Sequence, residues 1–117
     1  MPYTEITEIT ELDSILSAKT TCVINYGAKW CRSCVDYLPG YEAISNLEEY
    51  NGVKFYKVDL DKVDEAKDQY GITSIPLTVG YVEGEEEKRF IGNNADKLVD
   101  LLVSCIATIP TSPVGDT

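Results

Sequence analysis

Four cysteines and no histidine stand in the 117-residue chain, and that pairing of presence and absence narrows its chemistry at once. Without imidazole there is no Ser-His-Asp or Cys-His nucleophile, no histidine-ligated metal and no imidazole acid–base step. Cysteine, carboxylate, lysine or tyrosine must carry any reaction. Two of the cysteines, Cys31 and Cys34, are separated only by Arg32 and Ser33, just after an apolar run and where a helical pattern begins. The start of a helix presents free N–H groups and a partial positive charge, which favour a thiolate over a thiol. An ordinary thiol with a pKa near 8.5 is only about 3% ionised at pH 7. Lowered to about 7, roughly half of it is nucleophilic. Arg32 adds a positive charge beside Cys31.

The spacing also lets the second sulfur reach the first across one helical turn. Attack by Cys31 on a disulfide forms a mixed disulfide that Cys34 then resolves, the first cysteine of such a helix start being the more exposed. Two other readings of the pair stand beside this one. A Cys-x-x-Cys is half of a zinc site, yet only Cys22 and Cys105 remain as thiol donors, each alone on an apolar face of its own element. A purely structural Cys31–Cys34 bridge is the other. Cys22 and Cys105 themselves read as small core residues.

The elements that must position the pair follow from periodicity. Thr10-Glu11-Leu12-Asp13 resembles a capping box, with Leu12, Ile15 and Leu16 at helical spacing behind it. Cys22-Val23-Ile24-Asn25-Tyr26 suits a strand buried on both faces. From Cys34 to Tyr50, Val35, Leu38, Tyr41, Ile44 and Leu47 recur every three residues as a broad helical face, kinked at Pro39. Val53 to Leu60 predicts a strand, and Asp61 to Tyr70 a charged helix stopped by Gly71. Leu77–Val82 and Lys88–Ile91 predict two strands joined across Glu83-Gly84-Glu85, and a last helix starts near Asn94. The order β-α-β-α-β-α-β-β-α predicts an α/β fold: a mixed central sheet with helices on both faces. One domain over residues 1–107 is expected, with 108–117, rich in Pro, Thr and Ser, a disordered tail.

Charge limits the partners. Ten Lys+Arg against 20 Asp+Glu leave a formal net charge of −10. An acidic domain without a basic run repels phosphate backbones, so nucleic acid and anionic membranes are unsuitable partners, and the acidity serves solubility. The start, Met1-Pro2-Tyr3-Thr4-Glu5, lacks the basic and apolar regions of a signal peptide, and no apolar run nears the ~20 residues of a membrane span. A soluble, cytoplasmic protein is the expectation.

Trp30-Cys31-Arg32-Ser33-Cys34, preceded by Val23-Ile24-Asn25-Tyr26-Gly27-Ala28-Lys29, resembles the thioredoxin family. Pro39 matches that family's helix-kinking proline, Lys57-Val58-Asp59 its third strand, and Tyr70-Gly71-Ile72-Thr73-Ser74-Ile75-Pro76 its Ile-Pro loop. Gly84 fits the hairpin glycine and Gly92 the glycine before the last helix. The resemblance spans roughly residues 3 to 107 in order and spacing. It implies a thioredoxin fold, and a protein-disulfide reductase with a redox-active Cys31–Cys34 disulfide. It makes Pro76 a cis-proline facing the cysteines, and gives the Ile75 backbone the role of pairing with substrate as an added strand. Trp30, Ile91 and Gly92 complete a shallow apolar docking surface; a core aromatic is the other reading of Trp30. The family implies no bound cofactor, disulfide-containing protein substrates, recharging by an NADPH-dependent thioredoxin reductase, and a monomer. Ile91-Gly92-Asn93-Asn94 lacks the glycine pair of glutaredoxins, which argues against a glutathione-specific role.

The chain departs from the family pattern twice. Arg32-Ser33 stands where thioredoxins usually have Gly-Pro, and such changes move the potential between about −270 and −120 mV across the superfamily. Asn25 stands where the family has a buried aspartate, near Lys57, that helps deprotonate the resolving cysteine. Asparagine takes no proton, so another group activates Cys34, resolution is slow, or Asn25 is simply a satisfied buried residue. A disulfide oxidase or isomerase, and a binding module without catalysis, are the alternatives to a reductase.

Overall fold

The computed structural model describes residues 3–109. Its elements run β1 (Thr4–Ile6), α1 (Ile9–Ser17), β2 (Cys22–Gly27), α2 (Arg32–Ser45), β3 (Lys54–Asp59), α3 (Ala66–Gln69), β4 (Leu77–Val82), β5 (Glu85–Ile91) and α4 (Ala95–Thr108), with a 3-10 turn at Glu48–Tyr50. The five strands lie in the order β1-β3-β2-β4-β5. β1, β3 and β2 are parallel, and β4 runs antiparallel to both β2 and β5. The expected mixed sheet is therefore present, and β2, whose six residues are all buried, is its centre.

Alternation along the strands sends side chains into two cores. Cys22, Ile24 and Tyr26 pack with Leu12 of α1 and Ala66 of α3. Val23 and Phe55 pack with Tyr37 and Tyr41 of α2 and Leu98, Leu101, Leu102 and Cys105 of α4. Gly80 on β4 is set by close approach, since a Cβ there would meet Leu101 Cδ2 at 2.7 Å. Its bare backbone lets α4 sit tightly on the sheet.

Five boundaries differ from the sequence expectation. The first helix begins at Ile9, with no side-chain cap from its N-cap residue Glu8; Glu11 instead accepts from the backbone N–H and hydroxyl of Thr7, both at 3.1 Å. The long helix from Cys34 to Tyr50 ends at Ser45, and its buried face is Cys34, Tyr37 and Tyr41 rather than the three-residue repeat. A three-residue step slips about 60° per repeat, so it cannot keep one face on a sheet. Val35 and Leu47 are consequently exposed. The helix over 61–70 shrinks to Ala66–Gln69, because the Asp59 carbonyl and carboxylate take the N–H groups of Lys62, Val63 and Asp61 into a turn.

The hairpin turn is only Glu83-Gly84, both at positive φ (52° and 84°), so β5 starts at Glu85 rather than Lys88. Two successive positive-φ residues suit the tight turn whose twist matches the strands. At the C-terminus, α4 runs to Thr108 and Ile109 packs on the core, past the boundary expected at 107. The remainder of the expected disordered tail, 110–117, lies outside the described residues.

Candidate active site

Cys31 and Cys34 sit at the N-terminus of α2, where β2 ends. The two sulfurs are bonded as a disulfide, with their Cα atoms 5.2 Å apart. Cys31 is the N-cap of α2: its Sγ accepts the Cys34 backbone N–H at 3.2 Å, with the Ser33 hydroxyl at 3.6 Å. In the reduced protein the same position holds Cys31 sulfur at the positive end of a 14-residue helix, a setting that favours its thiolate. Arg32 is almost fully exposed and its Nε is held 3.1 Å from the Asp36 carboxylate.

Exposure does not separate the cysteines as the sequence suggested: Cys31 is 8% and Cys34 7% exposed. Their surroundings do. Cys34 lies against Gly27, where a Cβ would stand 3.2 Å from its sulfur, and faces inward on a cavity. Cys31 caps the helix directly after the exposed Trp30. The Ile75–Pro76 peptide is cis, and Ile75 packs against the disulfide. Among the described residues the Ile75 N–H and C=O make no backbone hydrogen bond. Gly92 N–H donates to the Pro76 carbonyl at 2.8 Å, bringing Ile91 and Gly92 beside the proline.

Trp30 is 71% exposed, which removes the core reading of that residue. Its indole N–H donates to Asp61 at 3.2 Å. Asp61 was not legible as a site residue, because only the β2–β3 pairing brings the two loops together. Ile91 is exposed at the end of β5, paired with Leu77 next to Pro76.

Asn25 and Lys57 are register partners on β2 and β3, as their proposed proximity requires. Asn25 is 2% exposed and, among the described residues, its Oδ1 has no hydrogen-bond partner. Lys57 pairs instead with Glu5 on β1, at 3.6 Å. Tyr37 and Tyr41 fix α2 above this region. The Tyr37 hydroxyl bonds the Thr78 hydroxyl at 2.9 Å, and the Tyr41 hydroxyl donates to the Tyr56 carbonyl at 2.7 Å. Burial pushes the Tyr37 phenol up to about 12, so it stays protonated at neutral pH.

Cys22 and Cys105 are fully buried in the two separate cores. Burial, reinforced by each other's proximity in the case of Cys22, raises their thiols to about 12 and about 11. They are inert at neutral pH. Among the described residues, no three His, Cys, Asp or Glu residues are grouped to hold a metal ion, and no helix is long and apolar enough to cross a membrane.

The model of the Thioredoxin family matches residues 4–104. The chain belongs to the thioredoxin family. It is 33% identical over 99 residues to the thioredoxin of Mycoplasma genitalium, covering 84% of this chain and 95% of that protein. The solved thioredoxin of Plasmodium falciparum superposes with a TM-score of 0.78 at 32% identity, covering 86% and 96% of the two chains. That of Trypanosoma brucei brucei gives 0.81 at 25% identity, covering 90% and 91%. With the thioredoxin fold and its Cys31–Cys34 pair, the chain is a thiol–disulfide oxidoreductase acting as a protein-disulfide reductase. Its electrons reside in the two sulfurs, so this thioredoxin-family chemistry needs no bound cofactor.

Proposed function

We propose that the chain reduces protein disulfides with Cys31 as the attacking thiolate and Cys34 as the resolving thiol. The helix-capping position of Cys31 sulfur is the observation that carries this assignment. A substrate segment lies across Trp30, Ile75, Pro76, Ile91 and Gly92, and the free backbone of Ile75 pairs with it as an added strand. The substrate sulfur then meets Cys31 in line with the bond to be broken.

Recharging falls to an NADPH-dependent thioredoxin reductase, and the protein works as a monomer in the cytoplasm. A reducing compartment suits a dithiol donor and two further cysteines kept as free thiols. Asn25 offers no proton acceptor beside Cys34, so the mixed disulfide resolves more slowly than it would with a carboxylate there. Asn25→Asp is expected to accelerate that step in stopped-flow reduction of a protein disulfide; an unchanged rate between about pH 6 and 9 sinks this part of the reading.

Direction is tested by the reduction potential of the pair, read from the fluorescence of Trp30, the only tryptophan, during titration against a thiol buffer. A two-electron transition near about −270 mV is expected of a reductant. A value above about −200 mV assigns the chain to oxidation or isomerisation, the direction that Arg32-Ser33 in place of Gly-Pro favours.

A further inference from the structure

The register of the sheet places four polar residues in one row beneath α2. Glu5 on β1 is the partner of Lys57 on β3, Lys57 of Asn25 on β2, and Asn25 of Thr78 on β4. Register partners share a face, and this is the face on which α2 lies. Thr78 is closed off by its bond to Tyr37. The other three residues line a cavity of about 350 Å³ together with Cys34. The buried Asn25 Oδ1, without a partner among the described residues, is an acceptor that this space leaves open to water.

Cys34 must lose a proton to resolve a mixed disulfide, and neither histidine nor a carboxylate adjoins it. Among the residues lining the cavity Glu5 is the one carboxylate. We propose that Glu5 is the proton acceptor for Cys34, reached through water in this cavity and held in place by Lys57. This deepens the reading of Cys34 as the resolving thiol and rests on it.

The step balances as follows. Cys34 S–H passes its proton through the cavity water to the Glu5 carboxylate, while the Cys34 sulfur bonds Cys31 Sγ. The bond between Cys31 Sγ and the substrate sulfur breaks, and its electron pair leaves on the substrate thiolate, which is protonated from solvent. The cysteine pair loses two electrons and the substrate disulfide gains them. Glu5, whose side chain is 40% exposed, returns its proton to bulk water. The other ionisable groups that line the cavity with Glu5 are Lys57 on β3, Tyr3 just before β1, Lys29 before α2 and Cys34 on α2, and Glu42 on α2 lies near Tyr3. Lys57 and Lys29 place two cations on the same cavity wall, Lys57 within 3.6 Å of the Glu5 carboxylate.

Reaction of the reduced protein with the aromatic disulfide of Ellman's reagent separates the two steps in stopped flow. A first release of thiolate reports attack by Cys31, and a second reports displacement by Cys34. In Glu5→Gln the first phase should be unchanged and the second about a hundredfold slower at pH 7, at the lower end of general-base effects. The second phase should recover toward the parent rate as pH rises to about 9 and hydroxide takes over. Glu5→Asp should restore most of the rate, and Glu5→Ala should regain it with added acetate. A second phase at the parent rate overturns the proposal, as does equal slowing of both phases, a deficit that persists at high pH, or no response to acetate. Loss of the first phase in the parent protein would instead remove the assignment of Cys31 as nucleophile.

Discussion

Two pairs of cysteines flank the same central strand and have opposite chemistry. Cys22 and Cys105 are sealed into cores on either side of the sheet, where burial raises both thiols and outweighs the nearby Lys54 and Lys88. Cys31 and Cys34 are nearly as covered, at 8% and 7% exposure, yet they occupy a helix N-terminus where the Cys34 N–H donates to the Cys31 sulfur. Burial alone therefore does not decide reactivity. What decides it is whether the backbone offers the charged form a partner in place of water.

The strongest way to break this contrast is to remove one sulfur at a time. Cys31→Ser should lower reduction of a protein disulfide by at least about a thousandfold, while Cys22→Ala and Cys105→Ala stay near the parent rate. A comparable loss in either buried variant would mean that the second pair takes part in exchange. Next in size, Trp30→Ala should reduce kcat/KM for a protein substrate about tenfold, equivalent to about 1.4 kcal/mol, which is the scale of an exposed aromatic anchor. Its thermal midpoint should hardly move, since most of the ring already faces water.

The buried pair sharpens the comparison through pH. A thiol raised by folding to about 12 holds its proton in the folded state while the unfolded chain gives it up near 8.5. The associated stability is complete below about pH 8.5 and is lost as pH climbs toward 12. Urea denaturation between about pH 8 and 11 should show a decline of a few kcal/mol that Cys22→Ala flattens. A decline of the same steepness in that variant assigns it to Cys105, raised to about 11, and to the buried tyrosines Tyr37 and Tyr81, which burial raises to about 12. The smallest effect is expected at Arg32. Its exposed pair with Asp36 is worth no more than about 0.5 kcal/mol, so Arg32→Ala should leave stability almost unchanged. A change well above that, measured by urea denaturation, would show that the α2 start depends on this pair.

Much of the fold was legible in the chain because its signals are local. The unbroken apolar run of β2, the Glu83-Gly84 turn and the apolar face of α4 each express a preference of neighbouring residues. The misreadings arose where local pattern competes with packing. The three-residue repeat of α2 was apolar but not co-facial, and two tyrosines made the buried face because their hydroxyls found partners on the sheet. The charged segment after β3 reads as helix, yet Asp59 bends it into a turn. Glu85–Glu87 conceal the start of β5, an edge strand whose side chains face water and need no apolar alternation.

By itself the sequence determined which atoms carry the reaction and that no imidazole assists them. Cys31 and Cys34 are three residues apart, and a helix start brings them together from local geometry alone. Only the tertiary structure decided what surrounds them. Trp30 meets Asp61, Ile75 packs on the disulfide, Gly92 bonds Pro76, and Glu5, Lys57 and Asn25 share a row because three parallel strands stand in the order β1-β3-β2. Residues 5, 25 and 57 lie on separate strands joined by crossovers, and such contacts are set by packing of the whole domain rather than by any window of the chain.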